Sequence, residues 1–83
     1  MIQVKNEYPK DFIVELKGLS PYIVGRVSVS FDGLHYDCET DIVFSETGKI
    51  YTHISIRRTL EDEKEAFDQG LHDLKMHMRK KQH

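Results

Sequence analysis

His35, Asp37, Glu39 and Asp41 occupy alternate positions, and His53, Ser55 and Arg57 repeat that spacing downstream. Alternate residues of an extended chain share one face, so each set presents its polar groups together. Two kinds of chemistry use such groupings. Imidazole and carboxylate ligands on adjacent strands suit zinc, manganese or iron, and a histidine oriented by a carboxylate can activate a nucleophile. Strand pairing gives each carboxylate a cationic neighbour, so no metal is expected. Asp41 and His53 find no nucleophile either. Ser55, two residues along from His53, lies about 6 to 7 Å away between α-carbons, and Cys38 falls on the opposite face. No glycine-rich phosphate loop and no HExxH motif is present. Farther on, Asp68 with His72 and Asp73 with His77 are each four apart, but the two histidines are five apart and point in different directions on a helix. The expectation is no catalytic residue, no metal and no cofactor.

The elements that position these residues follow from one turn. Asp32-Gly33 stands between two runs that alternate apolar and polar side chains, the pattern of a two-residue β-hairpin. Closing that hairpin on Phe31 and Leu34 sets Val29 opposite Tyr36, Val27 opposite Cys38, Gly25 opposite Thr40 and Ile23 opposite Ile42. Those positions share one mostly apolar face. The other face then pairs Arg26 with Glu39, Ser28 with Asp37 and Val24 with Asp41. A slip of one residue would turn the apolar set outward, so the agreement supports the pairing. Upstream, a connection through Gly18 to Pro21 puts Val14 against Gly25 and Phe12 against Val27, and Gly25 marks a bend or a close contact from above. Downstream, a three-residue loop from Glu46 to Gly48 pairs Phe44 with Ile50, Thr40 with Ile54 and Cys38 with Ile56. It keeps the apolar face intact, and it sets Asp41 against His53 and Asp37 against Arg57.

After Arg58 the apolar period becomes helical. Leu60, Phe67, Leu71, Leu74 and Met78 form one stripe, Thr59 has capping-box spacing to Asp62, and acidic residues at the start give way to Arg79, Lys80 and Lys81. A helix over about 60–80 follows, with Gly70 beside the stripe, where it either lets the helix approach the sheet or is simply tolerated as a weak helix former. The fold expected is α+β: a four-stranded antiparallel β-meander, with one long C-terminal helix on its apolar face and a possible fifth edge strand over Met1 to Lys5, all in one domain spanning 1–83.

Function is bounded by composition and geometry. The chain has 83 residues, 31% charged, with a net charge of -2, which argues against broad binding to nucleic acid or anionic membrane. There is no apolar run able to span a bilayer, no signal segment at Met1 and one cysteine, Cys38, so a cytoplasmic location is expected. Four strands at about 4.8 Å spacing make a sheet near 19 Å wide, whereas a helix with side chains is about 10 to 12 Å across. One helix leaves apolar surface, and a homodimer is expected to cover it. The expected function is a non-catalytic protein-interaction module. It would bind through either the apolar rim or the charged face, the latter with Arg26, His35, Asp37, Glu39, Asp41, Tyr51, His53 and Arg57, where Tyr22, Val24 and Val43 add apolar anchors at one end. The alternative is an accessory nucleic-acid-binding protein using Arg58, Lys75, Arg79, Lys80 and Lys81 at the helix end.

Overall fold

A computed structural model describes residues 8–18 and 21–81. The strands are β1 (Lys10–Val14), β2 (Ile23–Phe31), β3 (Tyr36–Phe44) and β4 (Ile50–Leu60), followed by α1 (Glu63–Lys81). They form one antiparallel sheet in the order β1-β2-β3-β4, with α1 packed across β2, β3 and β4. The fold is the α+β arrangement that the patterning predicts. The fifth strand expected over Met1 to Lys5 lies outside the described residues.

The β1–β2 register agrees with expectation, with Val14 opposite Gly25 and Phe12 opposite Val27. The β2–β3 register does not. Phe31 faces Tyr36, Val29 faces Cys38, Val27 faces Thr40 and Gly25 faces Ile42, so each partner lies two residues beyond the one expected. The cause is local: the Asp32 side chain accepts from the backbone N–H groups of Leu34 and His35 at 2.8 and 2.7 Å, and Asp32 N–H donates to the His35 carbonyl. Asp32 thus folds the turn around itself as an Asx motif, moving the tip to Gly33 and Leu34. A shift of two preserves face parity. Val27, Val29, Cys38 and Ile42 are buried as expected, with Phe31 and Tyr36 half-buried.

The β3–β4 connection also departs from the three-residue loop. Phe44 N–H donates to the Lys49 carbonyl, a four-residue loop, and Ile50 comes opposite Val43 on the face away from the helix. Irregularities beside Val43, between Asp41 and Thr40, and between Cys38 and Tyr36 then bulge β4 three times. The first returns Thr52 to its expected place opposite Ile42, and the second turns Ser55 and Arg57 toward the helix, opposite Thr40 and Cys38 rather than Ile54 and Ile56. At the third, Thr59 takes a φ of 64°, and its N–H reaches Asp37 Oδ1 at 3.2 Å.

Thr59 therefore ends a strand and does not cap the helix. Asp62 takes the cap instead, accepting from Glu65 N–H at 2.7 Å. The deepest stripe of α1 is Ala66, Gly70 and Leu74, flanked by the half-buried Phe67, Leu71 and Met78. Small residues mark where helix and sheet come closest. A Cβ on Gly70 would lie 2.5 Å from Cys38 Sγ and 2.6 Å from Val27 Cγ1, and one on Gly25 would lie 2.6 Å from Leu74 Cδ2. Both glycines mark close contacts, one of the two readings that each place in the pattern allows.

The remaining apolar corner is filled from the N-terminal side. The Tyr8 ring lies 5.9 Å from those of Phe31 and Tyr36, and its hydroxyl donates to Glu63 Oε1 at 2.8 Å. Lys10 Nζ reaches the same oxygen at 2.7 Å. Lys10 first, then Tyr8, holds the Glu63 carboxyl below the ordinary range, and that carboxylate pushes the Tyr8 phenol up. Phe12 and Phe67 pack with ring centroids 4.8 Å apart and planes tilted by 59°, tying β1 to the helix.

Candidate functional site

The face of the sheet away from the helix gathers four of the eight residues expected to form a site. Asp41 on β3 lies between Arg26 on β2 and His53 on β4, its partners across both ladders. Arg26 NH2 approaches Asp41 Oδ2 at 3.3 Å and His53 Nδ1 lies 2.8 Å from Asp41 Oδ1. Glu39, two residues along the same strand, brings Oε2 to 3.7 Å from the same His53 nitrogen. The Asp41–His53 pairing matches expectation. The Arg26–Glu39 pairing does not, because the two-residue shift of β3 delivers Asp41 to Arg26 and leaves Glu39 opposite Ser28.

Asp41 was expected on an open polar surface, yet it is 0% exposed. Its short side chain sits between two longer ones, and Val43 beside it is also buried. A buried carboxylate is costly unless charge-assisted hydrogen bonds replace its water. Arg26 and His53 supply them. A double-mutant cycle over Arg26→Ala and Asp41→Asn is expected to show coupling of about 1 kcal/mol, and one over Arg26→Ala and Glu39→Gln none beyond error. Urea unfolding of the set measures both, and the reverse order would restore the unshifted register.

The other expected residues are placed elsewhere. His35 belongs to the Asp32 turn and is exposed. Asp37 lies opposite Ser30 and accepts from Thr59 N–H, away from Arg57. Arg57 crosses to the helix face, where Nε and NH2 each reach an Asp73 oxygen at 2.7 Å. Ser55 goes with it, donating to Asp73 Oδ2 at 2.8 Å, so it stands apart from His53. Arg57, then Ser55, keeps the Asp73 carboxyl below its usual range against the opposing effect of burial. Burial pushes the Cys38 thiol up, which disfavours the reactive thiolate.

Tyr51 stands at the other end of β4, edge-on to Phe44 at 5.4 Å. It is one of several exposed apolar side chains on β4, of which Ile50 and Ile56 are assigned to the apolar face by strand alternation. Ile50, Tyr51 and Ile56 on β4 are 51%, 56% and 48% exposed, and Met76 on the facing side of α1 is 40% exposed. The bulges are the reason, since each resets which β4 side chains face the core. Ile54, Ile56, Met76 and His77 line a groove of about 420 Å³ along this side, with Arg57 and Lys80 among its polar residues.

Comparison with protein-family models, with curated proteins and with solved structures finds no match for this chain. No helix among the described residues is long and apolar enough to cross a membrane. Three of the basic residues expected to hold nucleic acid divide between two grooves on different sides of the helix. Lys75 and Arg79 line a groove beside β1, Lys80 lines the groove beside β4, Arg58 is exposed on β4, and Lys81 is the last helical residue.

Proposed function

We propose that this chain is a non-catalytic protein-interaction module that works as a homodimer, with the β4 edge of one copy docked against the β4 edge of another. The observation that supports it is the character of that edge. β4 is 11 residues long and terminates the sheet among the described strands, and three of its large apolar side chains, Ile50 and Tyr51 near its start and Ile56 farther along, are about half exposed, the last sharing a groove with Met76. A long edge with exposed apolar side chains is a ready template for strand addition. The opposite edge, β1, has only five residues. Identical edges meeting antiparallel around a two-fold axis satisfy each other's backbone groups and make a closed pair. A second copy is thus the partner that fits without any further component. The β4 bulges restrict how much regular ladder such a pair can add, so the apolar side chains carry most of the contact. A cytoplasmic location belongs to the same reading and is supported by the single, buried thiol of Cys38.

The test is solution mass together with a charged edge. Light scattering at tens of micromolar is expected to give twice the chain mass, and Ile56→Lys combined with Tyr51→Lys is expected to halve it while leaving the circular dichroism unchanged. A monomeric wild type, or a dimer indifferent to both lysines, would overturn the proposal.

A further inference from the structure

We propose that Glu39, Asp41 and His53 form a divalent-cation site suited to Zn²⁺. The three side chains come from two adjacent strands on one face, and one ligand atom from each lies within 4.8 Å of the others. Two of the separations are 2.8 and 3.7 Å, both measured from His53 Nδ1. Zinc bonds to nitrogen and oxygen of about 2.0 to 2.1 Å at tetrahedral angles place neighbouring ligand atoms about 3.3 Å apart. The observed spacings bracket that value, so small side-chain movements bring all three onto one ion.

Charge points the same way. Glu39 and Asp41 are two carboxylates, and among the described residues the guanidinium in contact with them is that of Arg26, which pairs with Asp41 Oδ2. Among the described residues Glu39 makes no ion pair with lysine or arginine, its one cationic contact being His53. With the register expected from the Asp32-Gly33 pair, Arg26 would neutralise Glu39. The two-residue shift removes that partner and turns Glu39 Oε2 and Asp41 Oδ1 toward the same imidazole nitrogen. His53 ligates as the neutral ring through Nδ1, with its proton on Nε2. Asp41 is held in place by burial and by Arg26, which pre-organises one ligand. The side chains of Glu39 and His53 are 45% and 46% exposed, so the ion has an approach from solvent, and three protein ligands leave a fourth position for water.

The experiment uses the whole chain without a histidine tag. Titration with ZnCl₂ by calorimetry is expected to give one ion per chain with micromolar dissociation, and CoCl₂ is expected to produce the visible absorption bands of a four-coordinate site. Glu39→Gln and His53→Gln, both at half-exposed positions, should each weaken binding about tenfold or more; Glu39→Gln should leave unfolding in the absence of metal unchanged, whereas His53→Gln also removes a contact to buried Asp41 and is titrated where its circular dichroism shows it folded. His72→Ala combined with His77→Ala should leave the affinity as it was. Absence of heat and of cobalt bands at millimolar metal would overturn the proposal, as would binding lost with His72 and His77 and retained in the Glu39 and His53 variants.

Discussion

Gly70→Ala is expected to destabilise the protein by about 2 kcal/mol, although alanine in an isolated helix would add about 1 kcal/mol of stability over glycine. The reason is where Gly70 lies. Its missing Cβ would fall 2.5 Å from Cys38 Sγ, 2.6 Å from Val27 Cγ1 and 2.9 Å from Thr40 Oγ1, and all three of those residues are essentially fully buried. Val27 is β-branched and stiff at χ1. Thr40 Oγ1 is further committed to the Gly70 carbonyl at 3.4 Å. None of the three has room to retreat, so α1 must lift from the sheet, with an overpacking cost near 3 kcal/mol that exceeds the propensity gain. Gly70→Val is expected to cost more. Gly25→Ala makes a useful contrast, since its closest contact is the end of the flexible Leu74 side chain, and it should cost less than Gly70→Ala. Denaturant unfolding of the three variants measures the order. A stabilised Gly70→Ala would mean that the helix does not sit this close.

The second large effect concerns Asp73, which joins α1 to the one strand whose face alternation misplaces. It accepts from Arg57 Nε, Arg57 NH2 and Ser55 Oγ at 2.7 to 2.8 Å, and its side chain is 12% exposed. Asp73→Ala is expected to cost about 2 kcal/mol at neutral pH. Hydrogen bonds to charged groups contribute roughly 1.5 to 3 kcal/mol, and Arg57, 43% exposed, recovers part of its hydration. The pH dependence has a definite sign. The native carboxyl titrates below its ordinary value because Arg57 and Ser55 favour the ionised form. Its contribution is therefore complete above the unfolded aspartate value of about 3.9 and is lost as pH falls through the lower native value. Wild type and Asp73→Ala should differ by the same amount from pH 7 down to about pH 5 and converge below about pH 4. A difference that persisted unchanged under strong acid would show that the ionised carboxylate is not what binds β4 to the helix.

These two sites also show what the chain makes legible and what it conceals. Gly25 stands out in sequence because it interrupts the apolar face of its strand and Gly70 because it lies beside the apolar stripe of the helix, and both are close contacts in the fold. Face assignment survives in β2 and β3, because the Asp32 turn shifts the pairing by two and parity is insensitive to an even slip. Partner identity does not survive. It depends on whether Asp32 occupies the tip of the turn or folds the backbone around its own carboxylate, and an Asp-Gly pair is compatible with both. The β4 bulges leave no mark in the alternation, so Ser55, Arg57, Ile50 and Ile56 all appear on the wrong side. At the helix start the Thr59–Asp62 spacing points to a cap at Thr59, whereas Asp62 itself caps, accepting from Glu65 N–H. The cap moves because β4 extends to Leu60 and takes Thr59 into the strand. Of the candidate site, Asp41 facing His53 is legible, whereas Glu39 joining them depends on the turn.

The most direct measurement of the proposed function is an isotope-filtered NOE experiment on an equimolar mixture of labelled and unlabelled chain at a concentration where the mass is that of a dimer. Docking through β4 predicts intermolecular NOEs from the Ile56 methyls and the Tyr51 ring to β4 and Met76 of the other copy. Intermolecular NOEs confined to β1 or to the Asp32 turn, or a protein that stays monomeric at every accessible concentration, would contradict it.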